Sequence, residues 1–430
     1  MSLADCSVMV VEDHEFQRTT TLQILANLGA RELLEAADGE GALAMFSLGR
    51  RPDVVVCDLD MPGIDGIEFL RRVAELATGT AIIIVSGLDD DVLRAAEATA
   101  RSYGLVVLGA IPKPLTARRL LQAVGLHRPG VARSDGAAGA PTHDVWGDAL
   151  ARELVGVRIR PRVELASGRL GGLEARAHRL GGAGEIDPRA HRLGGAGEID
   201  PRAHRLGGAG EIDARAHPLG GAGEIDAAGD PLGPAPGPVA LAVAERVVRA
   251  GLSAQQRLSD GGELVDLTLV LPAAALSGDE LLERLTELAA EAEVEPARIC
   301  LAVADAEAAA AALDLVTRLR VHGFGLGFDA FGGVRASLPA LERLPLTEVK
   351  IDGDALSRAT ASMRGAEAFT ATVQLFHDRG VDVVCDGCTG SAEWLVALQA
   401  GCWRAQGAYV GPPLAPEDVI RWLQTWDGVR

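Results

Sequence analysis

Short runs of apolar, β-branched residues recur through the first 126 residues, with helical patterns between them. The runs are CSVMVVE at 6–12, DVVVCD at 53–58, AIIIVS at 81–86 and GLVVLGA at 104–110. The intervening segments FQRTTTLQILANLG and DGIEFLRRVAELA space their apolar residues as amphipathic helices do. Continuous apolar strands that alternate with helices indicate a parallel sheet covered on both faces. The pattern therefore predicts a doubly wound (βα)5 domain of the α/β class over residues 1–126.

Beyond residue 150 the same alternation of strands and helices continues to the end of the chain. The strand-like runs are LVDLTLVLP, ARICLAVAD, GFGLGFDAF, LTEVKID, GVDVVCDG and CWRAQGAYVG, and helical patterns such as SGDELLERLTELAAEA separate them. So many βα units in one segment predict a closed, TIM-like (β/α)8 barrel over 150–430, with its site at the carboxyl ends of the strands. The segment HRPGVARSDGAAGAPTHD lacks apolar periodicity, so we expect a flexible linker at 127–149.

A thirteen-residue motif is repeated in tandem within the predicted barrel. AHRLGGAGEIDPR occurs twice and is followed by two near-copies, which together fill 177–228. Each copy offers only Leu and Ile as large apolar residues, whereas solenoid repeats are about 20 to 50 residues long and share a core. We therefore interpret the array as an enlarged loop in the connection that follows the first barrel strand. A metal array of its repeated histidines is the alternative, which the Gly-rich surroundings disfavour.

Composition and charge narrow the classes of partner. The formal net charge is −19 and the chain has no basic stripe, which argues against nucleic acid as a partner. No apolar run approaches the roughly eighteen residues needed to span a bilayer, and the start MSLADCSVMVVEDHE lacks a signal-peptide pattern. The sequence therefore predicts a cytoplasmic protein without a membrane segment. Cys385 and Cys388 form a lone CxxC, which we interpret as two packed thiols at a strand end.

Polar residues collect at the carboxyl ends of the N-terminal strands. These residues are Glu12, Asp13, Asp58, Ser86 and Lys113. In parallel sheets this edge is where ligands bind. Three converging carboxylates suit Mg²⁺, while a hydroxyl and an ammonium can hold the other oxygens of a phosphoryl group. Asp58, at the centre of the edge, is the natural carboxylate nucleophile.

Over its whole length this segment resembles the receiver domain of two-component response regulators. The resemblance rests on VVED, CDLDMPGIDG, VSG and PKP. It implies a phosphorelay in which a sensor histidine kinase phosphorylates Asp58, with Mg²⁺ held by Glu12, Asp13 and Asp58. Receivers usually carry Tyr or Phe three residues before the lysine, and Ala110 stands there in this chain. The usual aromatic switch is therefore absent, and the route by which a signal leaves the domain stays open.

The second half of the chain resembles the EAL-domain family of cyclic di-GMP phosphodiesterases, which have a TIM-like barrel. The resemblance rests on GRLGGLEAR, GFGLGFDAF with the following KID, GVDVVCDG and AGCWRAQGAYVGPPLAPEDV, in that order. It implies a site in which two divalent ions, Mg²⁺ or Mn²⁺, activate water against a phosphodiester. The positions that match functional residues of the family are Glu174, Asp329, Lys350, Asp352, Asp386 and Gln406.

Several ligand positions of the family are missing. Val270 stands at the metal-binding asparagine, Ala302 at a ligand glutamate and Ala330 at the second of two paired aspartates. Because valine and alanine offer no oxygen ligand, the sequence predicts against a standard two-metal site. Of the matching acids, Glu174, Asp329 and Asp352 are the ones that could hold a residual metal.

The signature motif departs from the family as well. It is EAR in place of EAL, and the family's substrate-binding arginine falls on His178. A shift of a residue or two would place Arg176 or Arg179 there instead.

We therefore expect a response regulator whose EAL-like domain is deficient in hydrolysis of cyclic di-GMP. Three interpretations stay open: a barrel that binds a protein partner or a nucleotide, an active phosphodiesterase under receiver control, and a barrel that binds cyclic di-GMP without cleaving it. The oligomeric state, including a homo-oligomer, is also left open by the sequence.

Overall fold

Five parallel strands form the N-terminal sheet. They are β1 (Ser7–Val11), β2 (Glu32–Ala36), β3 (Val54–Asp58), β4 (Ala81–Ser86) and β5 (Val106–Pro112). In this computed structural model, which describes residues 6–76, 79–125, 155–179, 237–331 and 338–426, the strand order is β2-β1-β3-β4-β5. Strands β1, β3 and β4 are buried along their whole length, which explains why their sequences are continuous apolar runs.

Helices cover the N-terminal sheet. They are α1 (Glu15–Asn27), α2 (Gly39–Ser47), α3 (Gly66–Leu76), α4 (Asp90–Ser102) and α5 (Ala117–Gly125). Local sequence explains where two of them begin. Asp38 accepts a hydrogen bond from the backbone N–H of Gly41, and Asp89 accepts one from Val92. An aspartate in this position satisfies a backbone donor that the helix itself cannot pair.

Eight further strands close into a barrel. They are β6 (Val155–Glu164), β7 (Leu170–Arg179), β8 (Asp266–Val270), β9 (Ile299–Val303), β10 (Gly325–Phe331), β11 (Glu348–Ile351), β12 (Asp382–Cys385) and β13 (Arg404–Ala405). The closed order is β10-β11-β12-β13-β6-β7-β8-β9. All neighbouring pairs are parallel except the two that involve β6, which runs antiparallel to both β7 and β13.

Helices surround the barrel. Those described are α6 (Gly237–Asp260), α7 (Glu280–Glu291), α8 (Ala306–Ala311), α9 (Leu313–Val321), α10 (Leu338–Leu341), α11 (Gly353–Ala361), α12 (Met363–His377), α13 (Ser391–Ala400) and α14 (Val419–Thr425). Their apolar faces pack against the strands in one continuous core. Helix α9 differs from the others, since it also packs against α3 and α4 of the N-terminal domain.

The predicted α/β architecture, a five-stranded parallel domain followed by a TIM-like barrel, is confirmed. Two strands were not among the predicted runs. They are β2, which is short and largely exposed in ELLEA, and β6, which carries charged residues in VGVRIRPRVE. Glu174 therefore lies on the second barrel strand in chain order, and not on the first. The repeat array does not start in a connection, because Ala177–Arg179 still belong to β7.

The rest of the array, 180–228, and the predicted linker at 127–149 lie outside the described residues. The boundaries 1–126 and 150–430 stay predictions, and the described strands of each domain lie within them. Within the described ranges, no helix is both long enough and apolar enough to cross a membrane.

Candidate functional site

The carboxyl ends of β1 and β3 bring three carboxylates together. Oxygens of Glu12, Asp13 and Asp58 all lie within 4.8 Å of one another. The Nζ atom of Lys113, which directly follows β5, is 2.7 Å from Oδ2 of Asp58 and 2.9 Å from Oε2 of Glu12. Glu12 and Asp58 are buried, while Asp13 is exposed at the rim.

The local field of this cluster favours an added cation. Burial raises the pKa of Asp58 to about 6, although the Lys113 ammonium opposes the rise. Three carboxylates thus face one ammonium, and hard oxygen ligands with an open rim are what Mg²⁺ requires. The residues present therefore fit the magnesium ion that the sequence predicts for this edge.

Ser86 completes the same edge of the sheet. Its side chain is fully buried at the end of β4, next to β3, and its hydroxyl accepts a hydrogen bond from the backbone N–H of Leu88 at 3.2 Å. The backbone N–H of Lys113 donates to the Ser86 carbonyl at 2.8 Å. The structure thus brings the side chains of Glu12, Asp13, Asp58 and Lys113 together and places Ser86 at the end of the neighbouring strand.

Ala110 leaves the neighbouring face of β5 open. It is half-buried and lines a cleft of about 490 Å³ between α4, β5 and α5, together with Gly109 and Ala123. All three residues are small, so the aromatic side chain that is usual in receivers has no equivalent on this face.

In the barrel, Glu174 is completely buried and is surrounded by donors. It accepts hydrogen bonds at 2.7 Å from Nη2 of Arg162 and at 2.7 Å from Nζ of Lys350. Nη2 of Arg176 lies 3.5 Å from its other oxygen, and Nε2 of Gln406 lies 3.4 Å away. Burial alone would raise the pKa of Glu174, but Lys350 and the neighbouring arginines hold it well below its usual value.

Asp329 on β10 shares two of these cations. Its Oδ2 accepts a hydrogen bond from Nη2 of Arg176 at 2.6 Å, and its Oδ1 forms an ion pair with Lys350. Burial would raise the pKa of Asp329, whereas Lys350 and Arg176 hold it below its usual value. Both acids are therefore ionised and already paired inside the protein.

Arg162 was missed in the sequence, although it is the largest fully buried side chain. Besides Glu174, its guanidinium donates to Glu348 at 2.7 Å, to Thr268 at 2.7 Å and to Gln406 at 2.8 Å. The signal that could have revealed it is the alternation of Arg158, Arg160 and Arg162 in β6, which directs these arginines to one face of the strand.

The other predicted barrel residues lie apart from Glu174. Asp386 is at the rim, 3.2 Å from Nη1 of Arg160 and 3.7 Å from Nζ of Lys350. Asp352 caps α11 and accepts a hydrogen bond from the backbone N–H of Asp354 at 3.2 Å.

Val270 and Ala302 are buried and pair with each other in neighbouring strands, so they add apolar surface where the family carries ligands. Arg176 pairs in register with Val270 on the other side. Ala330 and Arg179 have side chains outside the described set, and His178 is half-buried.

The barrel acids do not fit a divalent metal. Within the described residues, the three-carboxylate group of the N-terminal domain is the one group of potential ligands close enough to share an ion, and the predicted set of Glu174, Asp329 and Asp352 is not brought together. Lys350 and Arg176 instead lie between Glu174 and Asp329 and pair with both carboxylates.

The CxxC thiols are packed inside the barrel. Cys385 ends β12, and both Cys385 and Cys388 are fully buried. Burial raises the pKa of the Cys388 thiol to about 11, and contact with Cys402 together with burial raises that of Cys385. Thiols that resist ionisation are poor nucleophiles, which supports the interpretation of these two cysteines as packing residues.

Comparison with known proteins agrees with the two-domain organisation. Residues 8–125 match the response regulator receiver domain, and residues 238–413 match the EAL domain. The cyclic di-GMP phosphodiesterase RocR of Pseudomonas aeruginosa is 25% identical over 97% of this chain and 98% of its own length.

Two solved EAL structures are similar to this chain at lower identity. A PaMucR phosphodiesterase in complex with c-di-GMP is 22% identical, with a TM-score of 0.46 over 64% of this chain and 97% of that one. The EAL domain of Mycobacterium smegmatis DcpA is 17% identical, with a TM-score of 0.44 over 64% of this chain and 97% of that one.

Proposed function

We propose that this chain, which joins an N-terminal receiver domain to a C-terminal EAL domain, is a response regulator phosphorylated on Asp58. Its output is a barrel that binds a protein partner or a nucleotide and does not hydrolyse cyclic di-GMP through two metals. The receiver half of the proposal rests on the edge formed by Glu12, Asp13, Asp58, Ser86 and Lys113. The barrel half rests on the internal pairing of its acids.

Phosphoryl transfer at the receiver follows from the positions of these side chains. An Asp58 oxygen attacks the phosphorus of the donor, such as a kinase phosphohistidine, and the bond from phosphorus to the donor atom breaks as the acyl phosphate forms. Lys113 can hold a phosphoryl oxygen, since its ammonium is already 2.7 Å from Asp58. Magnesium bound by Glu12, Asp13 and Asp58 would supply the remaining neutralisation of negative charge.

One observation carries the proposal for the barrel. Each of four carboxylates at the barrel interior and rim forms an ion pair with at least one of four cationic side chains. The carboxylates are Glu174, Asp329, Glu348 and Asp386, and the cations are Arg160, Arg162, Arg176 and Lys350. Hydrolysis by two metals needs uncompensated oxygen ligands around two dications. The apolar Val270 and Ala302 remove two further ligand positions.

The second candidate function is phosphodiesterase activity. It is favoured by the likeness to RocR over almost the full length of both chains. Under this alternative, the ion pairs of Glu174 would have to open before a metal could bind.

The experiment that separates the two functions is incubation of the full chain with cyclic di-GMP and Mn²⁺ or Mg²⁺, followed by chromatographic separation of the nucleotides. We expect no more linear product than in a sample with a chelator. The matched control is Glu174→Gln, which keeps the size of the side chain and removes its charge. Linear product that rises with protein concentration and is lost in Glu174→Gln would establish the phosphodiesterase instead.

Isothermal titration calorimetry of the same protein with cyclic di-GMP then distinguishes a barrel that binds the nucleotide from one that binds a protein partner. Heat of binding without hydrolysis supports a nucleotide-binding barrel. Absence of binding leaves the protein partner as the output.

A further inference from the structure

Helix α9 connects the two domains through its last turn. Val321 of α9 is buried in the apolar core of the receiver, and Ala95 of α4 packs against the core of the barrel. The turn also carries the cations Arg318 and Arg320, and His322 follows directly. Cations at this position are also favoured by the partial negative charge at a helix C-terminus.

Arg318 reaches the loop that follows the phosphoacceptor. Its Nε is 2.9 Å from Oδ2 of Asp65, and its Nη1 is 2.5 Å from Oδ1 of Asp279 at the start of α7. Nε2 of His322 lies 3.2 Å from the same oxygen of Asp65. Asp65 is almost fully buried, so its charge depends on these barrel groups.

Asp65 is in turn fixed against the backbone of Asp58. Oδ1 of Asp65 accepts a hydrogen bond from the N–H of Glu68 and so begins α3. The next residue is Gly66, where a Cβ atom would lie 2.3 Å from the Asp58 carbonyl oxygen. No larger residue fits between them, and a movement of the Asp58 loop is therefore passed on to Asp65 through direct contact.

Arg320 reaches the turn that follows Ser86. Its Nη2 is 2.7 Å from Oδ2 of Asp89, which caps α4 three residues after Ser86. Its Nη1 donates to the carbonyl of Phe324 at 2.8 Å. Phe324 immediately precedes β10, the strand that carries Asp329 in the barrel interior.

We propose that Arg318 and Arg320 are positioning residues for the phosphoryl site of the receiver, and that α9 carries the state of that site to β10 of the barrel. The proposal rests on the proposed phosphorylation of Asp58. Arg318 contacts the loop after Asp58 and Arg320 contacts the turn after Ser86, so the two loops that flank the phosphoryl site both touch the same helical turn. The signal thus leaves through the α3–α4 side, and not through the face of β5 where Ala110 stands.

If Arg318 and Arg320 hold the loops beside the phosphoryl site in position, their removal should change the barrier to phosphoryl transfer. The first experiment therefore measures the rate of phosphorylation of the full chain by acetyl phosphate with Mg²⁺, followed by intact mass. We expect Arg318→Met and Arg320→Met each to change the initial rate by about fivefold or more, which corresponds to about 1 kcal/mol in the barrier. The control is Arg284→Met on α7, whose guanidinium pairs with Glu245 and Glu287 within the barrel.

A mutant cycle distinguishes positioning from a general loss of structure. In an Asp65→Asn background, which keeps the helix cap and removes the charge, Arg318→Met should change the rate by less than about twofold, because the charge through which Arg318 acts on the receiver loop is already lost. An Arg318→Met effect that is as large in the Asp65→Asn background as in the parent chain overturns the assignment of Arg318.

Hydrogen exchange on the parent chain tests the route without any substitution. Phosphorylation should change exchange at the amides of 313–324, while α7 stays unchanged. Phosphorylation of Asp58 with unaltered rates in both arginine variants and unaltered exchange at α9 overturns the coupling and leaves the proposed function intact. Failure of the parent chain to be phosphorylated overturns the receiver half of the proposed function, and the coupling falls with it.

Discussion

The receiver edge and the barrel interior both collect acidic side chains near strand ends, but they balance the charge differently. In the receiver, three carboxylates face the single ammonium of Lys113, and Asp13 is open to solvent. In the barrel, Glu174 and Asp329 are fully enclosed by Arg162, Arg176 and Lys350. The difference teaches that the number of carboxylates does not make a metal site, because the cations packed among them decide whether a further cation can enter.

The size of this effect is considerable. A dication about 4 Å from one guanidinium is repelled by roughly 8 kcal/mol at an effective dielectric constant near 20. Oxygen ligands would have to repay this energy, and the barrel has Val270 and Ala302 at two of the positions. At the receiver edge the ammonium of Lys113 pairs with Glu12 and Asp58, while the guanidinium of Arg18 donates to the backbone carbonyls of Glu12 and Asp13 and not to their carboxylates.

The largest expected effect is at the receiver. Asp58→Ala should abolish modification of the chain by acetyl phosphate with Mg²⁺, because the proposed nucleophile, the central carboxylate of the edge 2.7 Å from Lys113, is lost. Intact mass and peptide mapping measure the label. Asp60→Ala, an exposed aspartate in the same loop, should be labelled as the parent chain is. Equal labelling of Asp58→Ala contradicts the assignment of the phosphoacceptor.

The next effect concerns removal of the lysine from each cluster. Lys350→Met should lower the free energy of unfolding of the barrel by about 3–5 kcal/mol, since Glu174 and Asp329 would remain buried with less compensation. Lys113→Met should cost less, because the pKa of Asp58 is already raised to about 6 and this carboxyl can take up a proton when the ammonium is lost. Urea unfolding followed by tryptophan fluorescence measures the barrel, as residues 1–126 contain no tryptophan. Calorimetry measures the unfolding of the receiver in Lys113→Met. Similar losses of unfolding free energy in the two variants would contradict the proposed difference in charge balance.

Magnesium should act on one domain alone. At about one hundred times its dissociation constant, Mg²⁺ should stabilise the receiver by about 2–3 kcal/mol through mass action. Scanning calorimetry with Mg²⁺ or with a chelator measures the shift, and Asp13→Asn should reduce it by removing the negative charge of one of the three ligands. A comparable shift in the tryptophan transition of the barrel would mean that the barrel binds the ion after all.

The smallest effect is on the dependence of stability on pH. In a chelator, the pKa of Asp58 is about 6 when folded and near 3.8 when unfolded. The folded state therefore holds more protons between these values, and stability falls as pH rises, by about 1 kcal/mol between pH 5 and 7. Asp58→Asn should remove this slope. The contribution of Glu174 to the pH dependence has the opposite sign. Because folding lowers the pKa of Glu174, this group adds stability that is lost as pH falls below 4.5 towards the lowered pKa. If stability still falls with pH in Asp58→Asn, another group is responsible for the pH dependence.

The receiver site could be predicted from sequence alone. Its residues each stand at the end of a short apolar run, and parallel strands place all such ends at one edge of the sheet. The sequence alone also shows that Val270 and Ala302 cannot bind a hard metal ion, because a side chain without oxygen cannot coordinate such an ion in any fold. The alternation of strands and helices also determined both architectures.

Only the tertiary structure decided what surrounds Glu174. Strand periodicity predicts the face of its own strand on which each of Arg162 and Arg176 lies. Closure of the barrel determines that both guanidinium groups reach the carboxylate of Glu174. The contact of Arg318 with Asp65 likewise joins residues far apart in the chain. Local sequence determines the strands, the helix caps and the ligands at a strand end. The pairing of charges across a closed barrel or between domains depends on strand register and packing, which no local pattern encodes.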